Sequence, residues 1–488
     1  MGQPERRTRF RWRTWGPGLV LALIVVVGLG LRLGYFLNGD PFVDEWATML
    51  VAQGIWERGL PILPSGSFYG HGILFSYLDA LFLGLLGWTP ETAQLPSLLA
   101  GLLAIPLVYW IGRSLFSLPT PGPAGENTQP ANATGGNSVG YWRAQAIGLL
   151  AAALLALDPT AIIWAGRARA YTLQQVLVLL AILGLYRRRY LLFSVAFAGA
   201  VFSHAEAALL LPGFALGLLL LEGWPVLRRA RVWLAFGIGG LAVLARLLIH
   251  DLISSGGGQF QPIDSRPALQ PALGLLAGIE SLLPYFVEPH RFLITLLFVA
   301  GLVFAVRAWR RRDRSSGYLL LYPLCLVTLV LMVAVVGQSW RDPRYLFMLL
   351  PAFFILASAA AADLTAAVLG FPRIPRWLGV AGAAFLVVLL LLLPVPRALD
   401  TMTKLEEGYG PALAHVRQHW QPEDQVAGWA VPAIAVELGQ VDHFAMQIRH
   451  EEFLMQRDGV WVDRWVGAPL MDSVEKLETA LDRPGRLW

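Results

Sequence analysis

The chain has 488 residues, of which 56% are hydrophobic and only 15% charged, and its mean hydropathy is +0.56. A soluble domain carries about 25% charged residues, so these values exclude an ordinary soluble enzyme and place the chain among polytopic membrane proteins. The net charge of +5 does not point to nucleic acid, because the arginines fall in short clusters between apolar runs, the arrangement that sets membrane orientation.

The N-terminus reads Arg6-Arg7-Thr8-Arg9-Phe10-Arg11-Trp12-Arg13 and is apolar from Trp15 to about Phe36, long enough to cross a hydrocarbon layer of about 30 Å. The run is longer than the 7 to 15 residues of a cleavable signal core. It is expected to be a retained first span with its basic end in the cytoplasm of a plasma (inner) membrane.

Residues 37–95 are mixed and are expected to form an outer-face loop with helices lying on the membrane. Its first feature is Asp44-Glu45, between a proline-containing turn and the helix-forming stretch Trp46–Gln53. Acids suit the first turn of a helix, and the plain alternative makes Asp44 an N-cap. Against it stand the membrane boundary, Trp46, and the loop Ser65-Gly66-Ser67-Phe68-Tyr69-Gly70-His71-Gly72, which could close a pocket. Adjacent helical residues point about 100° apart, which argues against a shared-proton pair. His71 is either a ligand for substrate or proton, or a turn residue between glycines.

A second apolar run at about 96–116 leads into a Pro/Gly/Asn/Ser/Thr-rich loop at 117–142 without periodicity. Further runs follow at about 144–162, 172–186, 190–204, 206–222, 232–250, 285–306, 318–337, 345–368 and 378–396. Together these make about eleven spans. Arg187-Arg188-Arg189, Arg228-Arg229 with Arg231, the Arg307–Arg314 cluster, and Arg373 with Arg376 all fall on the N-terminal side, as the positive-inside rule requires. No internal repeat or pair of matching broken helices is seen, which weakens a transporter reading.

What remains on the expected outer side is Asp44 and Glu45; Asp158 with Arg167, Arg169 and Tyr171; His204 and Glu206; Arg246, His250 and Asp251; and Arg341, Asp342, Arg344 and Tyr345. Ionisable groups at membrane depth cost at least about 2.5 to 3.5 kcal/mol each and mark functional sites by default. Arginines 167, 169, 341 and 344 run against positive-inside. They point to an anion held at the outer surface, since a guanidinium fork matches phosphate oxygens. The alternative is that they reach lipid headgroups or pair with Asp158 and Asp342.

The pattern resembles the GT-C membrane glycosyltransferases of the protein O-mannosyltransferase and aminoarabinose-transferase type. The resemblance covers nearly the whole chain. It is carried by Val43-Asp44-Glu45, Tyr69-Gly70-His71, Leu95-Pro96-Ser97 leading to Tyr109-Trp110-Ile111-Gly112-Arg113, Leu157-Asp158-Pro159, Ala168-Arg169-Ala170-Tyr171, Ser203-His204 and Arg344-Tyr345-Leu346. Gln94 stands where the family commonly has Arg, and His71-Gly72-Ile73 where it commonly has His-Pro-Pro. The resemblance implies an all-α polytopic GT-C fold. It also implies transfer of a sugar from a polyprenyl-phosphate donor to an acceptor hydroxyl of a protein, lipid or glycan, without a nucleotide sugar.

On that footing Asp44 is the expected general base, supported by Glu45. Arg169 and Arg344 are expected to hold the donor phosphate, with Arg167, Arg341, Tyr171 and Tyr345 beside them. Tyr69, His71, Asp158, His204 and Glu206 are expected to line the pocket. A flippase or transporter of the lipid-linked sugar is the rival, and would not need Asp44. Asp44, Glu45, His204 and Glu206 could supply ligands to a divalent cation, but no spacing assigns a metal. Beyond residue 396 the composition becomes ordinary, with Gln425–Ala430, Asp442–Met446 and a helical run at Val474–Ala480. The expectation is a membrane catalytic domain over 1–396 and a small outer-face soluble α/β domain over 397–488.

Overall fold

The computed structural model describes residues 6–117, 137–254, 271–313, 316–335, 342–404, 408–446 and 453–488. Arg341 and most of the polar loop at 117–142 lie outside the described residues. Helix α1 (Arg6–Asn38) is followed by α2 (Val43–Arg58) and α3 (Ile73–Leu86), then α4 (Pro90–Leu115), α5 (Asn137–Leu157), the short α6 (Pro159–Ala165), α7 (Tyr171–Tyr186) and α8 (Tyr190–Ser203). A 3₁₀ turn at Ala205–Leu209 leads into α9 (Leu210–Glu222), and a second at Trp224–Arg228 into α10 (Ala230–Ser254). Next come α11 (Pro271–Val287), α12 (Pro289–Arg310), α13 (Tyr318–Val335), a 3₁₀ turn at Pro343–Leu349, α14 (Leu350–Leu369), α15 (Arg376–Leu392) and α16 (Val395–Thr403).

Among the described residues eight helical stretches are long and apolar enough to cross a membrane. The other three expected spans, at 172–186, 190–204 and 318–337, coincide with shorter apolar helices, as α3 also does. At 1.5 Å per residue, their 14 to 18 residues cover only about 21 to 27 Å. Helix α14 is fully enclosed through its first twelve residues, whereas α15 presents Leu378, Val380, Phe385, Val387 and Val388 outward. One large apolar core runs through the bundle, and Cys325 lies buried in it.

The expected single run over 144–162 is broken at Asp158-Pro159. Asp158 caps α6 by accepting from the Ala161 N–H at 3.0 Å, and Pro159 supplies the first helical residue, where its missing N–H costs nothing. Arg291, in the first turn of α12, closes on the same carboxylate through Nε to Oδ2 at 2.9 Å and Nη2 to Oδ1 at 2.9 Å. Its guanidinium also lies 4.1 Å from the Tyr285 ring centre. Arg32 of α1, buried at membrane depth, donates to the carbonyls of Leu155 and Ala156 at 3.1 Å, satisfying the open C-terminal end of α5.

Past α17 (Gly410–His419), strands β1 (Ala427–Gly428) and β2 (His443–Ala445) flank α18 (Val431–Leu438). Strands β3 (Leu454–Arg457) and β4 (Val460–Asp463), β5 (Leu470–Met471) and α19 (Val474–Leu481) complete the segment. A parallel sheet has the order β1-β2-β5, and β3 with β4 form an antiparallel hairpin in the register Leu454↔Asp463. The hairpin turns on Asp458 and Gly459, both at positive φ (51° and 80°), the chemistry of a type I′ turn. Ala430, Ala433, Ile434 and Leu413 share a core with Trp46, Leu50 and Val51, so the C-terminal segment is seated on α2.

Arg291 and Asp158 are 1% and 2% exposed, and removing one partner of so buried a pair leaves the other charge stranded. Arg291→Met is expected to destabilise the purified protein by about 3 to 5 kcal/mol, read as a lowered thermal unfolding midpoint. A midpoint equal to wild type would show that the pair does not hold α5, α6 and α12 together.

Candidate functional site

The site is assembled where α1 meets α2 and α6 meets α7. Helix α2 begins at Val43, so Phe42, not Asp44, is its N-cap. Glu45 takes the third helical position and folds back to accept the Phe42 N–H through Oε2 at 2.9 Å, one half of a capping box. Its other oxygen accepts the Ala168 N–H at 2.7 Å, and Gln94 Nε2 approaches Oε2 at 3.4 Å. Glu45 is 1% exposed. Burial pushes its carboxyl up to about 7 against the opposing pull of Arg167, the two backbone N–H groups and Gln94.

Asp44, one residue earlier, points elsewhere and is 37% exposed. Its Oδ2 lies 3.4 Å from Arg169 Nη2 and 3.8 Å from Arg344 Nη1. Arg169 also donates through Nη1 to the Asp44 carbonyl at 3.3 Å and to the Tyr69 hydroxyl at 3.2 Å. Trp46 and Glu45 are the enclosed residues, and Asp44 faces open space.

Ser97 explains the Leu-Pro-Ser stretch. Its hydroxyl donates to the Arg169 carbonyl at 2.9 Å and lies 3.3 Å from the Arg169 N–H, so α4 holds the backbone of Arg169 from both sides. Arg344 follows Asp342, whose Oδ1 accepts the Arg344 N–H at 2.8 Å and whose Oδ2 lies 3.4 Å from Arg344 Nε. The guanidinium covers the Tyr345 ring at 5.2 Å. Tyr171, His204 and Tyr345 lie ring against ring, with centroids 5.3 and 5.1 Å apart from Tyr171 to His204 and from His204 to Tyr345, and His204 Nδ1 contacts Glu206.

Beside Asp44 lies a narrow cleft lined by Thr48, His71, Gly72, Arg169, Tyr171 and His204 among others. The His71 ring packs edge-on to Tyr69 at 5.6 Å. The protein walls of this crevice shield it from water, and Arg464, His204, Arg169 and Arg246 oppose a further positive charge, so its pKa lies well below the usual imidazole range. Gly72 takes φ +68°, where a Cβ would meet Ala170 and the Ser203 carbonyl, so the backbone turns closely behind His71.

The structure therefore brings together Asp44, Tyr69, His71, Arg169, Tyr171, His204, Glu206, Arg344 and Tyr345. It does not bring Asp158, whose oxygens are used by Arg291 and the α6 cap. Arg167 turns to α1, donating to the Tyr35 hydroxyl at 3.0 Å and stacking on Phe42 and Trp164. Three contributors were not assigned to the site from sequence. They are Ser97; Arg246, which is buried and donates to the Gly70 carbonyl; and Arg464, whose loop is tied to Ser65. Among the described residues no group of three or more His, Cys, Asp or Glu side chains is placed to hold a metal. Of the four candidate ligands, Asp44 and Glu45 have separate partners and His204 and Glu206 pair with each other.

The same arrangement of helices is found in solved proteins. ArnT from Cupriavidus metallidurans in the apo state superposes with a TM-score of 0.58 over 95% of this chain and 90% of its own, at 14% identity. This chain has the GT-C fold. ArnT bound to undecaprenyl phosphate gives 0.55 over 89% and 87%, again at 14% identity. The Archaeoglobus fulgidus oligosaccharyltransferase tethered with an acceptor peptide containing the NVT sequon gives 0.52 at 14% identity, over 88% of this chain. The chain spans only 64% of that protein's length. No family model matches the sequence, and no curated protein matches it. At this identity the likeness is one of fold, and within the GT-C fold the chemistry has to be argued from the residues.

The raised carboxyl of Glu45 gives a pH signature. Its folded-state value near 7 lies above the about 4.3 of a free glutamate, so the folded chain binds this proton more tightly. Stability from this group is greatest below about 4.5, falls as pH rises, and is lost above about 7. The thermal midpoint of wild type minus that of Glu45→Gln is therefore expected to fall between pH 5 and pH 8. A difference that does not change with pH would mean that Glu45 is ionised throughout.

Proposed function

We propose that this chain is a glycosyltransferase that moves a hexosyl or pentosyl group from a polyprenyl-phosphate donor to an acceptor hydroxyl at the outer membrane face, with Asp44 as general base. The observation that carries the reading is a single half-open carboxylate shared between two guanidiniums, Arg169 and Arg344, beside a narrow polar cleft that Arg169 also lines. An ArnT structure of the same fold is described as bound to undecaprenyl phosphate, and an oligosaccharyltransferase as holding an acceptor peptide. Both support a lipid-phosphate donor and a separate acceptor, which is a protein, lipid or glycan. The proposed partners are a membrane-borne polyprenyl-phosphate sugar and an acceptor protein, lipid or glycan.

The acceptor oxygen attacks the anomeric carbon while its proton passes to Asp44. The bond from that carbon to the phosphate oxygen breaks, and polyprenyl phosphate leaves with the electron pair, its charge held by Arg169 and Arg344. Direct displacement inverts the anomeric centre. Before donor arrives, Asp44 occupies both guanidiniums. An incoming phosphate draws the forks to itself and leaves Asp44 free to accept a proton, so the base becomes available once donor is in place. Glu45 acts one layer behind, fixing the Ala168 N–H and with it the stretch that carries Arg169.

Asp44→Asn keeps size but cannot take the proton, so transfer is expected to fall about 10²- to 10⁴-fold. Binding of undecaprenyl phosphate to the same variant is expected to strengthen, because the competing charge on Arg169 and Arg344 is gone. Near-normal transfer by a folded Asp44→Asn protein would end the base assignment. Weakened lipid-phosphate binding would instead make Asp44 a residue that organises the arginines. Arg169→Lys keeps charge but loses the fork and is expected to weaken lipid-phosphate binding.

The proposed orientation puts the N-terminus in the cytoplasm and both the cleft and the 397–488 segment outside. Reporter fusions after Tyr186 and Arg397 are expected to read cytoplasmic and exterior, and the reverse result would invert the site's location.

A further inference from the structure

The end of the bundle opposite Asp44 carries a second polar cavity. Ser97 of α4, Arg291 of α12 and Arg344 before α14 mark the cleft end of those helices. Leu115 at the other end of α4 lies 18 residues from Ser97, about 27 Å along a helix. There a groove of about 410 Å³ is lined by Leu115, Phe116, Arg143, Phe304, Arg307 and Arg311, with Asp313, Tyr318 and Asp363 among the polar remainder.

Its floor is closed by an ion pair. Arg143 reaches Asp363 Oδ1 through Nη2 at 2.6 Å and Nε at 2.8 Å, while the Tyr318 hydroxyl donates to Oδ2 at 2.8 Å. Both oxygens of Asp363 are thus taken from within. The rim carries Arg307 and Arg311, four residues apart and hence on one face of the end of α12, both exposed. The lining has three arginines against two aspartates, Asp313 and Asp363, and the second is used by Arg143 and Tyr318. Helix α12 also turns Val299, Val303, Val306 and Trp309 outward, an apolar face ending in the tryptophan expected at a membrane boundary. A cationic rim, a neutralised floor and an adjoining apolar face match a molecule with an anionic head and an apolar tail.

We propose that this groove binds the phosphate of an anionic phospholipid, with Arg307 and Arg311 as its two forks and the acyl chains along the outward face of α12. The site is independent of the transferase reading, and its test does not use that activity. The full chain is purified with phosphatidylglycerol or phosphatidylcholine, and retained lipid is measured by native mass spectrometry through successive detergent exchanges. Wild type is expected to retain phosphatidylglycerol over phosphatidylcholine, and Arg307→Gln/Arg311→Gln to retain about tenfold less. Arg310→Gln/Arg312→Gln removes the same charge from the same helix end but from residues that do not line the groove, and is expected to behave as wild type.

Equal loss in the two double variants would reduce the effect to the general positive field of this end and overturn the site, as would full retention by the groove variant. Inorganic phosphate is added as a separate arm. Thermal protection by it equal to that given by phosphatidylglycerol would assign the groove to a soluble phosphate and overturn the lipid. If the glutamine pair fails to fold, Arg307→Lys/Arg311→Lys keeps charge without the forks. Retention at the wild-type level in that variant would overturn the bidentate assignment.

Discussion

The geometry of the site depends on one buried carboxylate. Glu45 is sealed from water, and a carboxylate in that position is costly unless its oxygens are hydrogen-bonded. It is satisfied by two backbone N–H groups far apart in sequence, Phe42 at the head of α2 and Ala168 in the turn between α6 and α7. That requirement fixes the two junctions against each other. Asp44 is carried on the first and Arg169 on the second, so their approach follows from a contact that neither residue makes. Ser97 adds a third anchor by bonding both the N–H and the carbonyl of Arg169. Helices α2 and α4 and the turn that leads into α7 thus meet at one residue, Arg169.

Much of this was legible in the sequence because the bilayer imposes strong rules. Apolar runs of membrane length separated by arginine clusters mark out the helices, and charges that break the positive-inside pattern pick out Arg167, Arg169, Arg341 and Arg344, of which the structure brings Arg169 and Arg344 to Asp44. What was not legible depended on pairing across the bundle. Asp158 looked like a pocket residue because it is an acid at membrane depth. Nothing local announces that Arg291, 133 residues later, will enclose it. The same holds for Arg246 and Arg464, whose positions follow from how α10 and the C-terminal segment are seated. Element ends were misjudged for a related reason. An apolar run says that a stretch lies in lipid or core, but the cap at Asp158 and the 3₁₀ turns before α9 and α14 are set by tertiary contacts.

Gln94 shows how one departure from the resembled pattern reads once neighbours are known. It stands against Glu45 at 3.4 Å. An arginine there would place a full positive charge beside the buried carboxylate, and the amide offers only a weak donor. Glu45 is left to Arg167 and the backbone for compensation, which fits a carboxyl that titrates near neutrality instead of remaining ionised.

The arginine–aspartate contacts at Asp158 and at Asp44 differ in a way that separates structural from exchangeable charge. Arg291 and Asp158 are sealed, meet bidentately at 2.8 to 2.9 Å, and have their remaining valences taken by Thr160, Tyr285 and the α6 cap. No ligand could enter there without first exposing two bare charges, a cost of several kcal/mol per ion. Arg169, Arg344 and Asp44 are looser, at 3.4 and 3.8 Å, with one carboxylate oxygen divided between two forks and a cleft open beside it. Asp44 and Arg344 are only part-enclosed, and under the proposed function a phosphate that offers both forks a close bidentate fit competes with the carboxylate for them. The same pair of residue types is therefore a rivet where it is enclosed and a latch where it is open, and the degree of enclosure decides which.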